Sequence, residues 1–204
     1  MNVLIGCEES GTVRDAFAEL GHKVLSCDLL PTRSDGAHYQ GDVFDVIDYP
    51  WDIAIFHPPC THTSVSGARH FAEKWMDGRG AAGVSFFMQL VRRSAHIPRT
   101  RFEQPVSIMS SLYRKPDQVI QPWQFGHGET KATCLWLKGL PLLTPTQIVD
   151  GRSDRIHKMA PGPERARERS KTYDGIAQAM AAQWGADPFI RAAIAAMTDT
   201  TIRG

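Results

Sequence analysis

Short apolar runs alternate with segments of helical spacing along the chain, and this pattern predicts an α/β protein. The runs are short and nearly continuous in apolar character, as in strands that are buried on both faces of a parallel sheet. The predicted strands are Val3–Gly6, Lys23–Asp28, Trp51–Phe56, Arg101–Pro105, Gln118–Trp123 and Lys131–Leu137. The predicted helices are Thr12–Leu20, Arg69–Trp75, Ala82–Arg93, Tyr173–Trp184 and Pro188–Met197. Gly126–Thr130, between the last two strands, indicates a hairpin and therefore an antiparallel pair at the edge of the sheet.

Length and composition favour one globular domain that spans residues 1–204. The net charge of +1 gives no global attraction to nucleic acid, so any basic surface must be local. Four cysteines stand far apart without a CxxC pair, which predicts reduced thiols and no metal site. There is no long apolar run for a membrane span and no leader pattern, so we expect a cytoplasmic protein.

The strand that ends at Phe56 is followed by His57, Pro58, Pro59 and Cys60. Prolines stop a strand because they lack a backbone N–H, so Cys60 is placed just past the carboxyl end of the strand. Open α/β sheets bind their ligands at that edge, and a thiol there is a candidate nucleophile. The alternative is that Cys60 is a small buried apolar residue, as free cysteines commonly are.

A second strand stopped by proline ends at Phe102-Glu103-Gln104-Pro105. The carboxyl ends of parallel strands share one edge of the sheet, so this strand could bring Glu103 beside Cys60. The alternative is an ordinary solvated carboxylate that pairs with Arg99 or Arg101.

Small and acidic residues follow the first strands. The turn Gly6-Cys7-Glu8-Glu9-Ser10-Gly11 precedes a helix, so its backbone N–H groups predict a place for an anion or a carboxylate. The acids would repel a pyrophosphate, and they favour a cofactor with a cationic centre and an amino-acid end. Asp28 ends the second strand, where an acid can bind ribose hydroxyls, and Asp42 stands where an acid could meet an adenine amino group. Either acid could instead form a turn or cap a helix.

A local basic stretch between residues 152 and 171 suits phosphate contacts that do not depend on sequence. Pro161 and Pro163 argue against one continuous helix there. The alternative is a solvated surface with salt pairs. The basic residues are Arg152, Arg155, Lys158, Arg165, Arg167, Arg169 and Lys171.

Taken in this order, these residues resemble the cytosine-5 DNA methyltransferase family, and they are most similar to its short members from phages and prophages. Pro59-Cys60 resembles the family's catalytic loop, and Phe102–Pro105 resembles its Glu-Asn-Val strand end. Lys131-Ala132-Thr133 stands at the basic strand, and Tyr173–Ala177 resembles the final Gly-Asn-Ala segment. The resemblance implies a Rossmann-like, S-adenosylmethionine-dependent methyltransferase fold with a mostly parallel sheet and an antiparallel edge hairpin. The cofactor would contact Gly6, Cys7, Glu8, Ser10, Gly11, Asp28, Asp42 and Pro58.

The resemblance also implies a reaction. The Cys60 thiolate would attack carbon 6 of cytosine, and Glu103, if burial raises its pKa, would protonate the neighbouring ring nitrogen. Lys131 would stabilise the ring oxygen. The chain departs from the family in its altered turn, in Gln104 for Asn and in Lys131 for Arg, which cannot form a bidentate fork.

The family's large recognition region is missing, and only residues 147–171 stand in its place. We therefore expect little sequence specificity on single- or double-stranded DNA. A free nucleotide or RNA is an alternative substrate, and a second copy or a partner protein could supply recognition.

Two alternative functions stay open. Amino-methyltransferases carry an acceptor-Pro-Pro-aromatic loop, and His57-Pro58-Pro59-Cys60 resembles that loop in part. Such an enzyme would methylate N4 of cytosine or N6 of adenine without a covalent cysteine adduct. A non-catalytic module that binds nucleotide or nucleic acid through residues 152–171 is the other alternative.

Overall fold

The computed structural model describes residues 1–160 and 162–186, and a mixed sheet lies at its centre. The strands are β1 (Asn2–Gly6), β2 (Lys23–Asp28), β3 (His38–Gln40), β4 (Ile53–Phe56), β5 (Arg99–Pro105), β6 (Gln118–Ile120) and β7 (Thr133–Lys138). Their order is β3-β2-β1-β4-β5-β7-β6. The first five strands are parallel, and β7 runs antiparallel to its neighbours β5 and β6. This Rossmann-like α/β sheet with an antiparallel edge confirms the predicted fold class.

Helices and short turns cover both faces of the sheet. The helices are α1 (Thr12–Glu19), α2 (Phe71–Met76), α3 (Arg79–Arg93), α4 (Met109–Leu112), α5 (Arg155–Lys158), α6 (Pro163–Ser170) and α7 (Asp174–Trp184). Phe17 of α1 and Trp184 of α7 belong to the core on one face, and Phe87 of α3 belongs to the core on the other. Each face of the sheet is therefore buried, which explains why the central strands are apolar throughout.

The apolar runs and the capping glycine predicted the first βαβ unit correctly. Strand β2 has the predicted bounds, and Gly21 follows α1 with a φ of +81°, a conformation that glycine adopts without strain. The structure begins α3 three residues before the predicted start at Ala82. The predicted helix Pro188–Met197 lies outside the described residues.

Two edge features differ from the prediction. Strand β3 was not predicted, because its three residues are polar or half exposed and give no apolar run. The predicted antiparallel pair of β6 and β7 is present, but its connection is longer than Gly126–Thr130, because β6 ends at Ile120 and β7 begins only at Thr133. The connection is a long loop that begins with a 3-10 turn at Pro122–Gln124.

The segment expected to replace the recognition region packs beside that loop. Gln147 pairs with Phe125, and Ser153 pairs with Glu129, each in an isolated parallel bridge. Farther along, the basic stretch forms the separate short helices α5 and α6, as expected for a segment that is interrupted by prolines.

Candidate active site

The loop that carries Cys60 is fastened to strand β5 by Gln104. The buried Gln104 side chain donates to the carbonyl oxygens of Pro58 and Pro59 at 3.4 and 3.3 Å. Its Oε1 accepts a hydrogen bond from Thr63 Oγ1 at 3.0 Å. The carbonyl of Cys60 closes the turn by accepting from the backbone N–H of Thr63 at 3.1 Å. Gln104 thus holds the Cys60 loop against β5.

The polar segment after Cys60 makes further fixed contacts. The buried side chain of Lys74 donates to the carbonyl of Thr61 at 2.6 Å. Thr63 and Ser64 are buried, and Ser64 forms an isolated bridge with Ser107. The Cys60 loop is therefore tied to both β5 and α2.

Glu103 lies in an ion-pair cluster at the carboxyl end of β5. Its Oε2 accepts from Nη2 of Arg101 at 2.6 Å and lies 3.0 Å from Nδ1 of His57. Arg101 is fully buried, whereas 13% of the Glu103 side chain is exposed. Among the described residues no hydrogen bond reaches Oε1, so both partners hold one oxygen and leave the other free.

The charge state of Glu103 differs from the expectation. Burial by itself raises the pKa of Glu103, but Arg101, the hydrogen bond from His57 and the charge of Lys131 outweigh it. The pKa of Glu103 therefore falls far below its ordinary range. The predicted protonated acid is wrong for the free protein, because the guanidinium compensates the loss of solvation.

The mutual effects of Cys60, Glu103 and Lys131 on their pKa values indicate that the three side chains lie near one another. The strand ends predicted this for Cys60 and Glu103, whereas Lys131 was named from the resemblance. The pKa of the Cys60 thiol is raised first by burial and then by Glu103, while Lys131 and Arg169 act in the opposite direction. Burial lowers the pKa of Lys131, against the effect of Glu103 and Cys60. The free protein thus holds a protonated Cys60 near an ionised Glu103.

Lys131 lies two residues before β7 rather than on the predicted strand. Its backbone N–H donates to Gln121 Oε1 at 2.9 Å, and its Nζ lies 3.3 Å from the carbonyl of Lys171 and 5.7 Å from the ring centre of Tyr173. The contact with Lys171 also connects this site to the end of the basic stretch.

The predicted anion position at the start of α1 is filled by the chain itself. The buried carboxylate of Glu8 accepts from the backbone N–H groups of Val13 at 2.7 Å and Arg14 at 3.3 Å. Ser10 donates its hydroxyl to Glu8 and accepts from the N–H of Thr12. An external carboxylate therefore cannot bind there, and this part of the prediction is wrong.

The other turn residues are shaped by close packing. A Cβ on Gly6 would lie 2.6 Å from Cδ1 of Phe56, so no side chain fits there. Cys7 has a φ of +60°, and Gly11 has a φ of +75° at the N-cap of α1. These three residues place the β1 turn against the end of β4, where the backbone N–H of His57 donates to the Gly6 carbonyl.

The acids predicted for the cofactor surround Cys7. Burial raises the pKa of Cys7 above its ordinary range, and Asp28 and Asp42 raise it further. Asp28 accepts from the N–H of Leu30 at 2.9 Å, and burial raises the pKa of this acid. Asp42 caps a short 3-10 turn by accepting from the N–H of Phe44. Asp28 and Asp42 thus bond to nearby backbone N–H groups, as the alternative of a turn or helix cap expected. Both also direct negative charge at Cys7.

This position is the topological switch point of the sheet. The crossover from β1 to β2 and the crossover from β4 to β5 leave this edge in opposite directions, so the switch point lies between the carboxyl ends of β1 and β4. Ligands of open α/β sheets bind in the crevice at such a point. Pro58 is buried at the same edge, with its carbonyl held by Gln104.

Several members of the basic stretch already have partners. Arg155 pairs with Glu129, Lys158 with Asp154 and Lys171 with Asp174. Arg152 stacks on the ring of Trp123, with 3.9 Å from its Cζ to the ring centre. These contacts agree with the alternative of a salt-paired surface for much of the stretch.

The central part of the basic stretch lies closer to the site. Arg169 of α6 lowers the pKa of both Cys60 and Lys131, which puts its charge near them. Arg165 is partly buried, and its Nε has no hydrogen-bond partner among the described residues. Arg167 lies on the same helix.

One cavity of the described residues lies beside this site rather than in it. It has a volume of about 460 Å³ between α1 and α7, and its lining includes Ser10, Asp15, Arg33 and Asp174. Cys60, Glu103 and Lys131 do not line it. In residues 1–160 and 162–186 no group of His, Cys, Asp or Glu side chains is suited to a metal ion. The helices of these residues are all too short or too polar to cross a membrane.

Sequence reasoning missed His57 and the part played by Arg101. Arg101 and Glu103 are two residues apart on a strand, so their side chains point to the same face, and this signal was present in the alternative reading of Glu103. The contact of His57 with Glu103 depends on the register of β4 and β5, which pairs Phe56 with Phe102.

No protein-family model matches the chain, and no curated protein matches it. Among solved structures, the chain is similar to a methyltransferase of Entamoeba histolytica, EhMeth, at 11% identity and a TM-score of 0.48. The match covers 79% of this chain, and it spans 60% of the length of that protein's chain. The fold class stated above depends on the strand order and directions.

Proposed function

We propose that the chain is an S-adenosylmethionine-dependent methyltransferase that acts on carbon 5 of cytosine in DNA through a covalent bond to Cys60. The observation that supports it is the cluster of Cys60, Glu103 and Lys131 at the carboxyl ends of β4 and β5. A thiol, a carboxylate and an ammonium are the groups that attack on a pyrimidine ring requires.

The residues at the switch point fit the nucleoside and the sulfonium of this cofactor. Asp28 and Asp42 direct negative charge at Cys7, which favours a cationic ligand there. Asp28 would hold the ribose hydroxyls, and Asp42 the adenine amino group. The start of α1 cannot hold the carboxylate, because Glu8 fills it. When bound, S-adenosylmethionine would supply the methyl group.

The charge states of the free protein make Glu103 the proton acceptor of a relay. Its lowered pKa makes it a weak base toward a thiol of raised pKa, so the proton moves only together with the bonding of the sulfur to the ring. The Cys60 thiol gives its proton to the ionised Glu103 as the sulfur bonds to carbon 6 of the ring. Glu103 passes that proton to ring nitrogen 3, which neutralises the charge that develops there. Lys131 stabilises the ring oxygen. When the product forms, carbon 5 loses its proton to solvent and the carbon–sulfur bond breaks. Ring nitrogen 3 then returns its proton through Glu103 to the sulfur, so that the Cys60 thiol and the ionised Glu103 are restored.

The basic residues near the site support a polyanionic substrate. Arg169 would contact a phosphate next to the target nucleotide, and Arg165 and Arg167 follow the same helix. A duplex would have to flip its cytosine out of the stack, and this costs least in single strands. With only residues 147–171 for recognition, we expect weak dependence on the flanking sequence.

The test is incubation with labelled S-adenosylmethionine and with single- or double-stranded DNA, followed by mass analysis of nucleosides. The expected product is 5-methylcytosine, with Cys60→Ser inactive and Ser66→Ala, which changes an exposed hydroxyl of the same segment, close to wild type. N4-methylcytosine or N6-methyladenine with an active Cys60→Ser variant would establish the amino-methyltransferase alternative. Binding of DNA without binding of the cofactor in calorimetry would establish the non-catalytic module. RNA and free cytidine nucleotides run in parallel as alternative substrates.

A further inference from the structure

Arg101 is fully buried but only partly hydrogen-bonded, which is unfavourable for folding. Its side chain is fully buried on β5, and Nη2 bonds to Glu103. Its Nε and Nη1 are buried and have no hydrogen-bond partner within the described residues. Buried N–H groups are nearly always paired, so each unpaired group needs an explanation, and a role at a functional site is one of them.

The two donors at Glu103 act on the same atom. Arg101 and His57 both contact Oε2, from β5 and from the residue after β4. A carboxylate held by two donors on one oxygen cannot rotate freely, so Oε1 keeps one direction. The Nδ1 of His57 must carry a proton to donate to an ionised carboxylate.

Several other charged or titratable groups face this cluster. Cys60 lies in the loop after β4, and Lys131 precedes β7. On β7 the charge of Glu103 also raises the pKa of Cys134. Glu8 of the β1 turn acts on Arg101, and Arg169 of α6 acts on Cys60 and Lys131. Arg101 is the partner with the shortest contact to Glu103 among these groups.

We propose that Arg101, assisted by His57, is a positioning residue that keeps Glu103 ionised and turns its Oε1 toward the Cys60 thiol. This inference rests on the proposed function, since it assigns the group that prepares Glu103 to take the Cys60 proton. Arg101 touches neither base nor cofactor in this assignment and acts through Glu103. Holding the charged guanidinium of Arg101 beside the Glu103 carboxylate leaves its buried Nε and Nη1 without hydrogen-bond partners among the described residues.

The first experiment follows the Glu103 carboxyl by carbon-13 NMR during a pH titration, with Glu103→Gln to assign the signal. In the wild-type protein Glu103 should stay ionised down to the acid limit of folding. Arg101→Met and Arg101→Gln should raise its titration midpoint by at least one pH unit, and Arg101→Lys by less. Arg99→Met is the matched control, because Arg99 lies on the same face of β5 but donates to the Asp52 carbonyl, and it should not move the midpoint.

His57→Phe keeps the proposal testable if the neutral Arg101 variants do not fold. It removes one donor from Oε2 and should raise the midpoint by a smaller amount. An unchanged midpoint in every folded variant would overturn the inference, as would a wild-type Glu103 that titrates in its ordinary range. The NMR titration does not depend on methyl transfer, so it tests this inference independently of the proposed function.

The second experiment measures the pH profile of methyl transfer. Loss of Arg101 should move the acid limb of kcat/KM upward by the same number of pH units as the NMR midpoint. A purely structural role would instead lower activity by the same factor at every pH. A wild-type protein without transfer activity would overturn the proposed function, while the NMR shifts would still decide the role of Arg101 toward Glu103.

Discussion

The side chains of Gln104 and Thr63 are hydrogen-bonded at 3.0 Å, and this contact joins the strand that carries Glu103 to the loop that carries Cys60. Because the same Gln104 also donates to the carbonyls of Pro58 and Pro59, one buried amide fixes the distance between the two candidate reacting groups.

Replacing Gln104 by Ala should therefore loosen the site as well as weaken the fold. The change removes the donor to the carbonyls of Pro58 and Pro59 and leaves the buried Thr63 hydroxyl with only the longer contact to the Cys60 carbonyl at 3.4 Å. We expect a loss of about 1–3 kcal/mol in the free energy of unfolding. The freed loop should also make Cys60 react faster with an alkylating reagent at a fixed pH. Urea unfolding and peptide mapping of the alkylated cysteines measure the two effects.

Gln89→Ala is the control for this change, because within the described part of the chain the Gln89 side chain bonds to Ser85 alone, on the exposed side of α3. It should change the unfolding free energy by less than about 0.5 kcal/mol. If Gln104→Ala behaves like Gln89→Ala in both measurements, the amide does not hold the loop.

Glu103→Gln should lower the pKa of the Cys60 thiol. Glu103 is a negative charge beside a group that becomes negative on ionisation, so it raises that pKa, and its removal favours the thiolate. Lys131→Met should have the opposite effect, since Lys131 favours the thiolate. The pH dependence of Cys60 alkylation, resolved by peptide mapping, gives both shifts. Shifts of the same sign for the two variants would contradict the cluster.

The stability of the protein should fall at alkaline pH because of its buried thiols. Burial, followed by Asp28 and Asp42, raises the pKa of Cys27 to about 12. A thiol in the unfolded chain ionises near pH 8.5 as a rough reference. Stability is therefore complete below that value and is lost as the pH rises toward the folded pKa, at up to about 1.4 kcal/mol per pH unit for each such thiol.

Cys27→Ser should reduce this slope by the contribution of one thiol, because a hydroxyl does not ionise in the range. Urea unfolding between pH 7 and pH 10 measures it. Cys27→Ala should share the reduced slope even though its stability at pH 7 differs, because it also lacks the titrating group. A wild-type slope in both variants would show that Cys27 is not the group responsible.

The sequence predicted the central strands and the meeting of Cys60 with Glu103, because buried parallel strands carry continuous apolar runs and proline marks their ends. It did not predict β3, which pairs at an exposed edge through three residues without an apolar pattern. The charge of Glu103 also escaped prediction. Burial and an ion pair shift a carboxyl pKa in opposite directions, and only the structure shows that Arg101 reaches Oε2 at 2.6 Å.

The cofactor turn shows a second limit of sequence reasoning. A helix N-terminus after a small-residue turn predicts an anion site, and the turn itself contains two glutamates. The backbone decides which glutamate turns inward. Cys7 has a φ of +60°, and Glu8, the next residue, is the one that does so. Glu8 consequently caps α1 while Glu9 pairs with Arg33.

The basic residues should differ in their contribution to nucleic-acid binding according to their partners in the free protein. Lys158 is already paired with Asp154 one helical turn away, whereas Arg169 acts on the site groups Cys60 and Lys131. Arg169→Gln should weaken DNA binding uniformly across sequences and should reduce the slope of log affinity against log salt by about 1, as for the loss of one phosphate contact.

Lys158→Gln removes the same formal charge and serves as the matched control, with an expected change in the salt slope close to zero. Arg169→Gln should in addition raise the pKa of Cys60, because a charge that favours the thiolate is lost, and Lys158→Gln should not. Fluorescence anisotropy with labelled single-stranded DNA over a range of salt concentrations measures the slopes, and Cys60 alkylation measures the second effect. Equal salt slopes for the two variants would mean that the DNA does not pass Arg169, and the substrate would then have to reach Cys60 from another side of the sheet edge.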